Sequence, residues 1–280
     1  MTETVAGAIR VAADRLAATS GTARLDAELL MGHVLGVSRS DLLVFHLGRD
    51  VLPHRTAYER LVERRLRHEP VAYLVNTQEF YGLRLAVTPD VLIPRGDSEV
   101  LVDAALDIVP DAGRVLDMGT GSGALLLAYL ANAPQARGVG IDASPGALEV
   151  ATANCERLGL SERARFLLAD WTTKDWDAPL GQFDLVLCNP PYVEDDAPLD
   201  RDVREYEPAS ALFAGPQGLD DYRVLVPQLG KLLLPGGVAI LEIGATQGDA
   251  VGDIARESGF AVAVRKDLGG RPRALVLRPS

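Results

Sequence analysis

Apolar residues recur at helical spacing through residues 4–18 (TVAGAIRVAADRLAA) and again through 24–36 (RLDAELLMGHVLG), where Gly36 supplies a C-terminal stop. Ser40-Asp41 is placed to cap a short helix from Leu42 to Leu47, and Pro53 to open another through Arg67. Four short helices predict a small all-helical module that ends near Pro70. From Glu79 to Ile93 the pattern changes to EFYGLRLAVTPDVLI, with Gly82 and Pro89-Asp90 as turn signals. A hairpin, or a pair of short extended strands, is expected to link two domains there.

Beyond Asp97 short β-branched runs alternate with helical stretches. Strands are predicted at Arg114 to Met118, Gly138 to Asp142, Ala164 to Ala169, Phe183 to Cys188 and Gly237 to Ile243. Residues 124–132, 145–158, 219–234 and 246–258 are the intervening helices. Such alternation implies a mostly parallel sheet covered on both faces, a doubly wound α/β fold. The last runs, Ala261–Val264 and Ala274–Leu277, are separated only by a polar Gly-rich loop and should pair antiparallel. The expected organisation is a helical domain over 1–75, a hairpin linker over 76–93 and a doubly wound domain over 94–280.

Charge narrows the partners. Lys+Arg 28 against Asp+Glu 39 leaves a net charge of −11, which argues against a general electrostatic grip on nucleic acid. The imbalance is uneven. Residues 1–75 hold ten arginines against nine acids, a net +1, and all four histidines, whereas residues 76–280 carry a net −12. The three lysines, Lys174, Lys231 and Lys266, leave arginine as nearly every cation, which reads as a compositional bias. No apolar run reaches the roughly 18 residues of a membrane span. The opening Met1-Thr2-Glu3-Thr4 lacks the basic and apolar regions of a signal peptide, so a cytoplasmic location is expected. Two scattered cysteines, Cys155 and Cys188, make neither a zinc site nor a disulfide framework, and no metal is expected.

Two segments carry candidate chemistry. In Val115-Leu116-Asp117-Met118-Gly119-Thr120-Gly121-Ser122-Gly123 a strand runs into a Gly-rich turn that opens a helix at Ala124. Glycines permit tight geometry and close approach, and the free N–H groups of the helix start face a ligand. Asp142 closes the next strand, where a carboxylate can take two ribose hydroxyls. Gly119 to Ala124 also fits G-x-G-x-x-A, so this segment by itself serves a nicotinamide cofactor or S-adenosylmethionine equally well. The second segment, Asn189-Pro190-Pro191-Tyr192, follows the apolar strand Phe183 to Cys188. Two prolines remove two N–H donors, which leaves the Asn189 and Pro190 carbonyls to point at a ligand. With the Asn189 side-chain acceptor and the flat face of Tyr192, the set suits a planar –NH2 group.

Gly-rich turn, strand-end acid and NPPY together resemble the class I S-adenosylmethionine-dependent amino-methyltransferases, and within them the HemK/PrmC family. The resemblance covers nearly the whole chain. It includes the helical N-terminus, Glu79-Phe80-Tyr81-Gly82, Leu92-Ile93-Pro94-Arg95 with Asp97-Ser98-Glu99, and Asp170-Trp171. It continues through Tyr206-Glu207-Pro208, Leu241-Glu242-Ile243-Gly244 and Lys266-Asp267-Leu268-Gly269-Gly270-Arg271. The family implies a seven-stranded, Rossmann-like sheet. It implies methyl transfer from S-adenosyl-L-methionine to the side-chain amide nitrogen (N5) of the glutamine in the Gly-Gly-Gln motif of class 1 peptide-chain release factors. Carried over, Gly119, Thr120, Gly121, Ser122 and Gly123 would line the methionine and ribose portions of the cofactor. Asp142 would hold the ribose, and Trp171 would sit against the adenine. Asn189, Pro190, Pro191 and Tyr192 would bind the substrate amide, Asn189 touching the cofactor too, and Asn189, Pro190 and Tyr192 would be the catalytic set. Three positions depart from the family pattern: Gly96 stands at a usual proline, Asn76 near a usual glycine, and Met118 at a usual leucine.

An adenine methyltransferase shares NPPY, but the net −12 over residues 76–280 disfavours it. A non-catalytic cofactor-binding protein is disfavoured by the intact NPPY and Asp142. His33, His46, His54 and His68 share no metal spacing and should lie on solvated helix faces. Cys188 reads as an inert buried thiol, and the Arg60–Arg67 run (RLVERRLR) as a solvated helix face that is also available to dock a partner.

Overall fold

Thr4 sets the start of the first helix: its hydroxyl accepts the Gly7 N–H at 3.2 Å. The computed structural model describes residues 4–49, 54–267 and 269–280. Within it α1 (Val5–Leu16), α2 (Ala23–Leu35), α3 (Arg39–Asp41), α4 (Arg55–Leu66) and α5 (Val71–Val75) build a helical unit. Val5, Ile9 and Leu16 of α1 are buried with Leu30 and Met31 of α2 and with Tyr58 and Val62 of α4. Gly36 ends α2 at φ +67, as its stop signal predicts.

Several details differ from the sequence reading. Ser38, not Ser40, caps the short third helix, because Ser38 is extended and its Oγ reaches the Asp41 N–H at 3.0 Å. The continuation, Leu42–His46, is a π-helical turn. The expected helix start at Pro53 lies outside the described residues, as does Leu268, and α5 adds a helix beyond Pro70. Arg65 in the charge run is buried, donating from Nε to Asp26 Oδ2 at 2.7 Å; a buried carboxylate needs a paired cation. His33 is exposed, but His46, His54 and His68 are half-buried. The unit also takes in Leu199–Tyr206. There the Tyr206 hydroxyl donates to the Arg67 carbonyl at 2.7 Å across 139 residues of sequence, and Asp202 lies 3.5 Å from Arg65.

The second unit comprises Gln78–Pro198 and Glu207–Ser280. It opens on a two-stranded sheet, β1 (Thr77–Phe80) with β2 (Leu83–Ala86), followed by α6 (Glu99–Ile108). The core then alternates β3 (Arg114–Met118), α7 (Ala124–Asn132), β4 (Arg137–Asp142), α8 (Pro145–Arg157), β5 (Ala164–Leu168) and β6 (Phe183–Cys188). After α9 (Arg201–Tyr206, part of the helical unit) come α10 (Asp220–Leu225), α11 (Leu229–Leu232), β7 (Leu233–Glu242), α12 (Gly248–Glu257), β8 (Phe260–Lys266) and β9 (Pro272–Pro279). The sequence pattern did not announce α6, whose Leu101, Val102, Ala104 and Ala105 are buried against the sheet core. The single helix expected over 219–234 is broken into α10 and α11 by a 3-10 turn at Val226–Gln228, where Pro227 has no N–H to donate.

The seven strands run in the order β5-β4-β3-β6-β7-β9-β8. The first five are parallel, and β9 lies antiparallel to both β7 and β8, as expected. From β3 the chain moves outward to β4 and β5, then returns to place β6 on the other flank of β3. That reversal puts Met118 level with both Ile141 and Cys188, and opens a crevice beyond the strand ends. Cys155 and Cys188 are buried free thiols. Among the described residues no helix is long and apolar enough to cross a membrane.

Candidate active site

A cleft of about 670 Å³ lies beyond the C-terminal ends of β3, β4 and β6. The Gly-rich turn forms one wall. Gly119 has φ +71, and a Cβ there would lie 3.3 Å from the Trp171 ring, so both the turn and the close approach require glycine. The Gly119 and Thr120 N–H groups both donate to the Ile141 carbonyl at 2.9 Å, which ties the turn to β4. Asp142 completes the tie: Oδ2 accepts the Gly121 N–H and Oδ1 the Ser144 N–H, each at 2.9 Å. Burial pushes its carboxyl above the usual range, while the backbone donors of Ser144, Gly121 and Ala143 draw it back. Each oxygen keeps a further lone pair, and Asp142 lines the cleft. Trp171 is fixed by its indole N–H, which donates to Asp221 Oδ1 at 3.0 Å.

Beneath the turn, Thr120 donates to Asp117 Oδ2 at 2.6 Å. Burial pushes the Asp117 carboxyl up to about 7, with the Thr120 hydroxyl opposing it. A carboxyl raised on folding binds a proton that the unfolded chain has already lost, so its contribution favours the folded state at low pH. That contribution declines between the unfolded value of 3.8 and about 7. Asp117→Asn removes this term. The Tm difference between variant and wild type, measured by calorimetry in ligand-free buffer, should move in the variant's favour as pH rises from 5 to 8. A difference independent of pH would contradict the raised carboxyl.

The opposite wall comes from the end of β6. Asn189 and Pro191 line the cleft, with Ser98, Arg95 and Pro208 beside them. Thus Gly119, Thr120, Gly121, Ser122, Asp142, Trp171, Asn189 and Pro191 converge on one space. Gly123, Pro190 and Tyr192 are not among its lining residues. Gly123, at φ +83, caps the start of α7, where an added Cβ would lie 2.9 Å from Leu127 Cδ1. Pro190 is buried. Tyr192 turns its hydroxyl onto Glu242 Oε1 at 3.1 Å, and its carbonyl accepts from Gln247 Nε2 at 3.0 Å. It braces the turn from within the core rather than offering its ring to the cleft.

Glu207 and Glu242 received no role in the sequence reading. Glu207 is buried, accepts the Ile93 N–H at 3.0 Å and pairs with Arg95, which holds the segment before α6 against the cleft. Gly96 sits in that segment within a 3-10 turn, Gly96–Ser98, and a Cβ there would meet open space. The only sequence signal for these groups was their position inside segments resembling the family, because their partners come from other strands.

Known proteins resemble this chain over most of its length. Residues 7–75 match the family described as PrmC N-terminal domain, and residues 115–202 a methyltransferase domain. The release factor glutamine methyltransferase of Rhodospirillum rubrum is 42% identical over 260 residues, covering 91% of this chain and 78% of its own length. That of Caulobacter vibrioides is 40% identical over 285 residues, covering 99% of this chain and 96% of its own length. A methyltransferase from Pyrococcus furiosus, 18% identical, superposes with a TM-score of 0.50 over 70% of this chain and 88% of its own, a likeness of fold.

Proposed function

We propose that this chain, which belongs to the release factor glutamine methyltransferase family, transfers a methyl group from S-adenosyl-L-methionine to the N5 amide nitrogen of the Gly-Gly-Gln glutamine in class 1 release factors. The observation that carries the reading is the register of Met118 opposite Cys188. It brings a Gly-rich turn and an Asn-Pro-Pro-Tyr turn to one cleft. The residues present fit the cofactor: a carboxylate with spare acceptor capacity for two hydroxyls, a fixed indole for a purine face, and a glycine cradle that a Cβ would fill.

When bound, the cofactor supplies an electrophilic methyl group on a sulfonium. In this reading Gly119 to Ser122 line its methionine and ribose portions, with Gly123 shaping the turn behind them, Asp142 holds the ribose and Trp171 flanks the adenine. Asn189 Oδ1 accepts one N–H of the glutamine and the backbone carbonyl of Pro190, whose ring is buried behind the lining, accepts the other, with Pro191 on the wall and Tyr192 bracing the turn from behind. An amide nitrogen is a poor nucleophile because its lone pair is delocalised. Holding both N–H groups fixes the nitrogen in line with the methyl carbon, and well-held geometry supplies about 7–11 kcal/mol of a barrier. The new C–N bond would form as the methyl's bond to the sulfonium sulfur breaks, leaving a neutral thioether, and one amide proton would be lost to solvent, so the product is a neutral N-methyl amide.

The helical unit is assigned to docking the release factor, with a cytoplasmic location, no membrane association and no direct contact with nucleic acid. Arg60 and Arg67 are exposed near the end of α4 and available to an acidic partner surface. Labelled cofactor should deliver its methyl to the Gly-Gly-Gln glutamine of an intact release factor, and added DNA should not compete. Arg60→Glu with Arg67→Glu should raise KM for the intact factor and leave a short Gly-Gly-Gln peptide unaffected. Label on adenine would overturn the reaction; an unchanged KM for the intact factor in the double variant would overturn the docking role.

A further inference from the structure

A second cavity, of about 430 Å³, lies at the N-terminal ends of β3, β4 and β5. It is at the opposite edge of the sheet from the cleft and shares no lining residue with it. Arg114, Arg137, Arg163 and Arg165 line it against a single acid, the exposed Glu162. That inverts the local sign in a part of the chain, residues 76–280, that carries a net −12. The register gathers the charges. Arg114 pairs with Arg137, and Arg165 with Val139, two residues beyond Arg137 on the same face. Three neighbouring strands at about 4.8 Å spacing therefore set Arg114, Arg137 and Arg165 in a row roughly 10 Å across. The buried Val139 and Phe183 supply an apolar part of the lining.

What holds these side chains is uncharged. Arg137 Nη1 donates to the Glu162 carbonyl at 2.7 Å, and Arg114 Nη2 to the Leu180 carbonyl at 3.0 Å. The Arg114 guanidinium also lies over the Phe183 ring, 5.1 Å from its centroid. Arg163 spends both terminal nitrogens on the carbonyls of Leu130, Ala133 and Ala136, at and beyond the C-terminal end of α7. Arg165 is exposed and makes no hydrogen bond or ion pair among the described residues. Asp184, the neighbouring carboxylate on β6, accepts the Gly113 and Arg114 backbone N–H groups instead. Elsewhere Arg65, Arg95 and Arg273 meet carboxylates. Here no carboxylate lies within 4 Å of a guanidinium nitrogen of any of the four, among the described residues.

We propose that this cavity is a second ligand site, built for the linked phosphate groups of a small polyphosphate or a nucleoside triphosphate. Carbonyls and a ring fix the direction of a guanidinium without cancelling its charge, and each of these side chains keeps N–H groups to spare. Like charges held this close repel one another and cost stability until a counter-ion arrives. The planar guanidinium fork takes phosphate oxygens two at a time. One phosphate fills the space between two neighbouring strands, whereas a row that crosses three strands calls for phosphates joined together. The cations surround a cavity of small-molecule size rather than forming a stripe along the surface, which favours a small ligand over a nucleic acid strand. Because no residue is shared with the cleft, the site stands or falls independently of methyl transfer.

The test uses the full-length protein in magnesium-free buffer containing S-adenosyl-L-methionine. Tripolyphosphate should bind at one equivalent by calorimetry and, at about ten times its Kd, raise Tm by roughly 3 °C. Sodium chloride at the same ionic strength should not. Uridine triphosphate identifies the source: tighter binding than tripolyphosphate assigns the site to a nucleotide, and equal or weaker binding to a free polyphosphate. Arg137→Gln with Arg165→Gln should weaken tripolyphosphate binding about tenfold or more and leave cofactor affinity within about twofold. Arg223→Gln with Arg256→Gln removes as much charge from α10 and α12, outside the cavity, and should leave tripolyphosphate affinity unchanged. Glu162→Gln removes the lining acid and should tighten binding by about two- to fivefold. The proposal is overturned by a Tm rise that sodium chloride reproduces, or by unchanged affinity in the Arg137 and Arg165 variant. An equal loss in the Arg223 and Arg256 variant, or tighter binding of an RNA oligonucleotide than of tripolyphosphate, overturns it too. If the Arg137 and Arg165 variant does not fold, Arg165→Gln alone decides by the same affinity criterion.

Discussion

Asp142→Ala is expected to weaken S-adenosylmethionine binding by about 3 kcal/mol, roughly a hundredfold or more in Kd, since hydrogen bonds to a charged acceptor are worth about 1.5–3 kcal/mol each. The loss has two sources. One is the acceptor for the ribose hydroxyls. The other is the tie that the carboxylate makes to the Gly121 and Ser144 N–H groups, which holds the Gly-rich turn in shape. Asp142→Asn separates them. Its single amide oxygen can keep one tie but cannot serve both N–H groups and two hydroxyls, so an intermediate loss is expected. Titration calorimetry with the cofactor and with NAD decides the matter. Unchanged affinity in Asp142→Ala, or tight NAD binding by wild type, would defeat the cofactor assignment.

Asn189→Ala is expected to lower kcat on the order of 10²-fold or more, comparable to removing one hydrogen-bonding group aimed at the reacting centre. Cofactor affinity should weaken only modestly, because Asp142, Trp171 and the glycine turn stay in place. The separation of kcat from cofactor Kd is the diagnostic feature. Alanine also removes the Asn189 contact with Ser98, but at 3.5 Å that contact is at the long end of hydrogen-bonding range, so the wall should not collapse. Steady-state kinetics on a Gly-Gly-Gln peptide, paired with calorimetry, measures both quantities. Near wild-type kcat would make Asn189 a turn residue and nothing more.

Local chemistry alone specified much of this protein. Thr4 and Gly36 bound their helices, β3 and β6 begin and end at the residues their apolar runs mark, and the glycines of 119–123 announce a turn that only a small residue can make. These features depend on steric limits and hydrogen bonds within a few residues of each other, so they are written in the order of the chain. The central part of each wall, the turn at 119–122 and the turn at 189–191, was also legible, because each is one contiguous segment. What the sequence order could not contain is pairing across long separations. Asp26 with Arg65, Tyr206 with Arg67, Glu207 with Ile93 and Arg95, and Glu242 with Tyr192 join residues from different elements. Their burial is tolerable only because the partner arrives from elsewhere in the fold. The same cause redirected Tyr192. Read as an isolated aromatic beside a proline pair, it offers a flat face to a ligand. In the folded chain the buried Glu242 carboxylate claims its hydroxyl, and that tertiary demand, invisible to local pattern, turns it into a brace for the site.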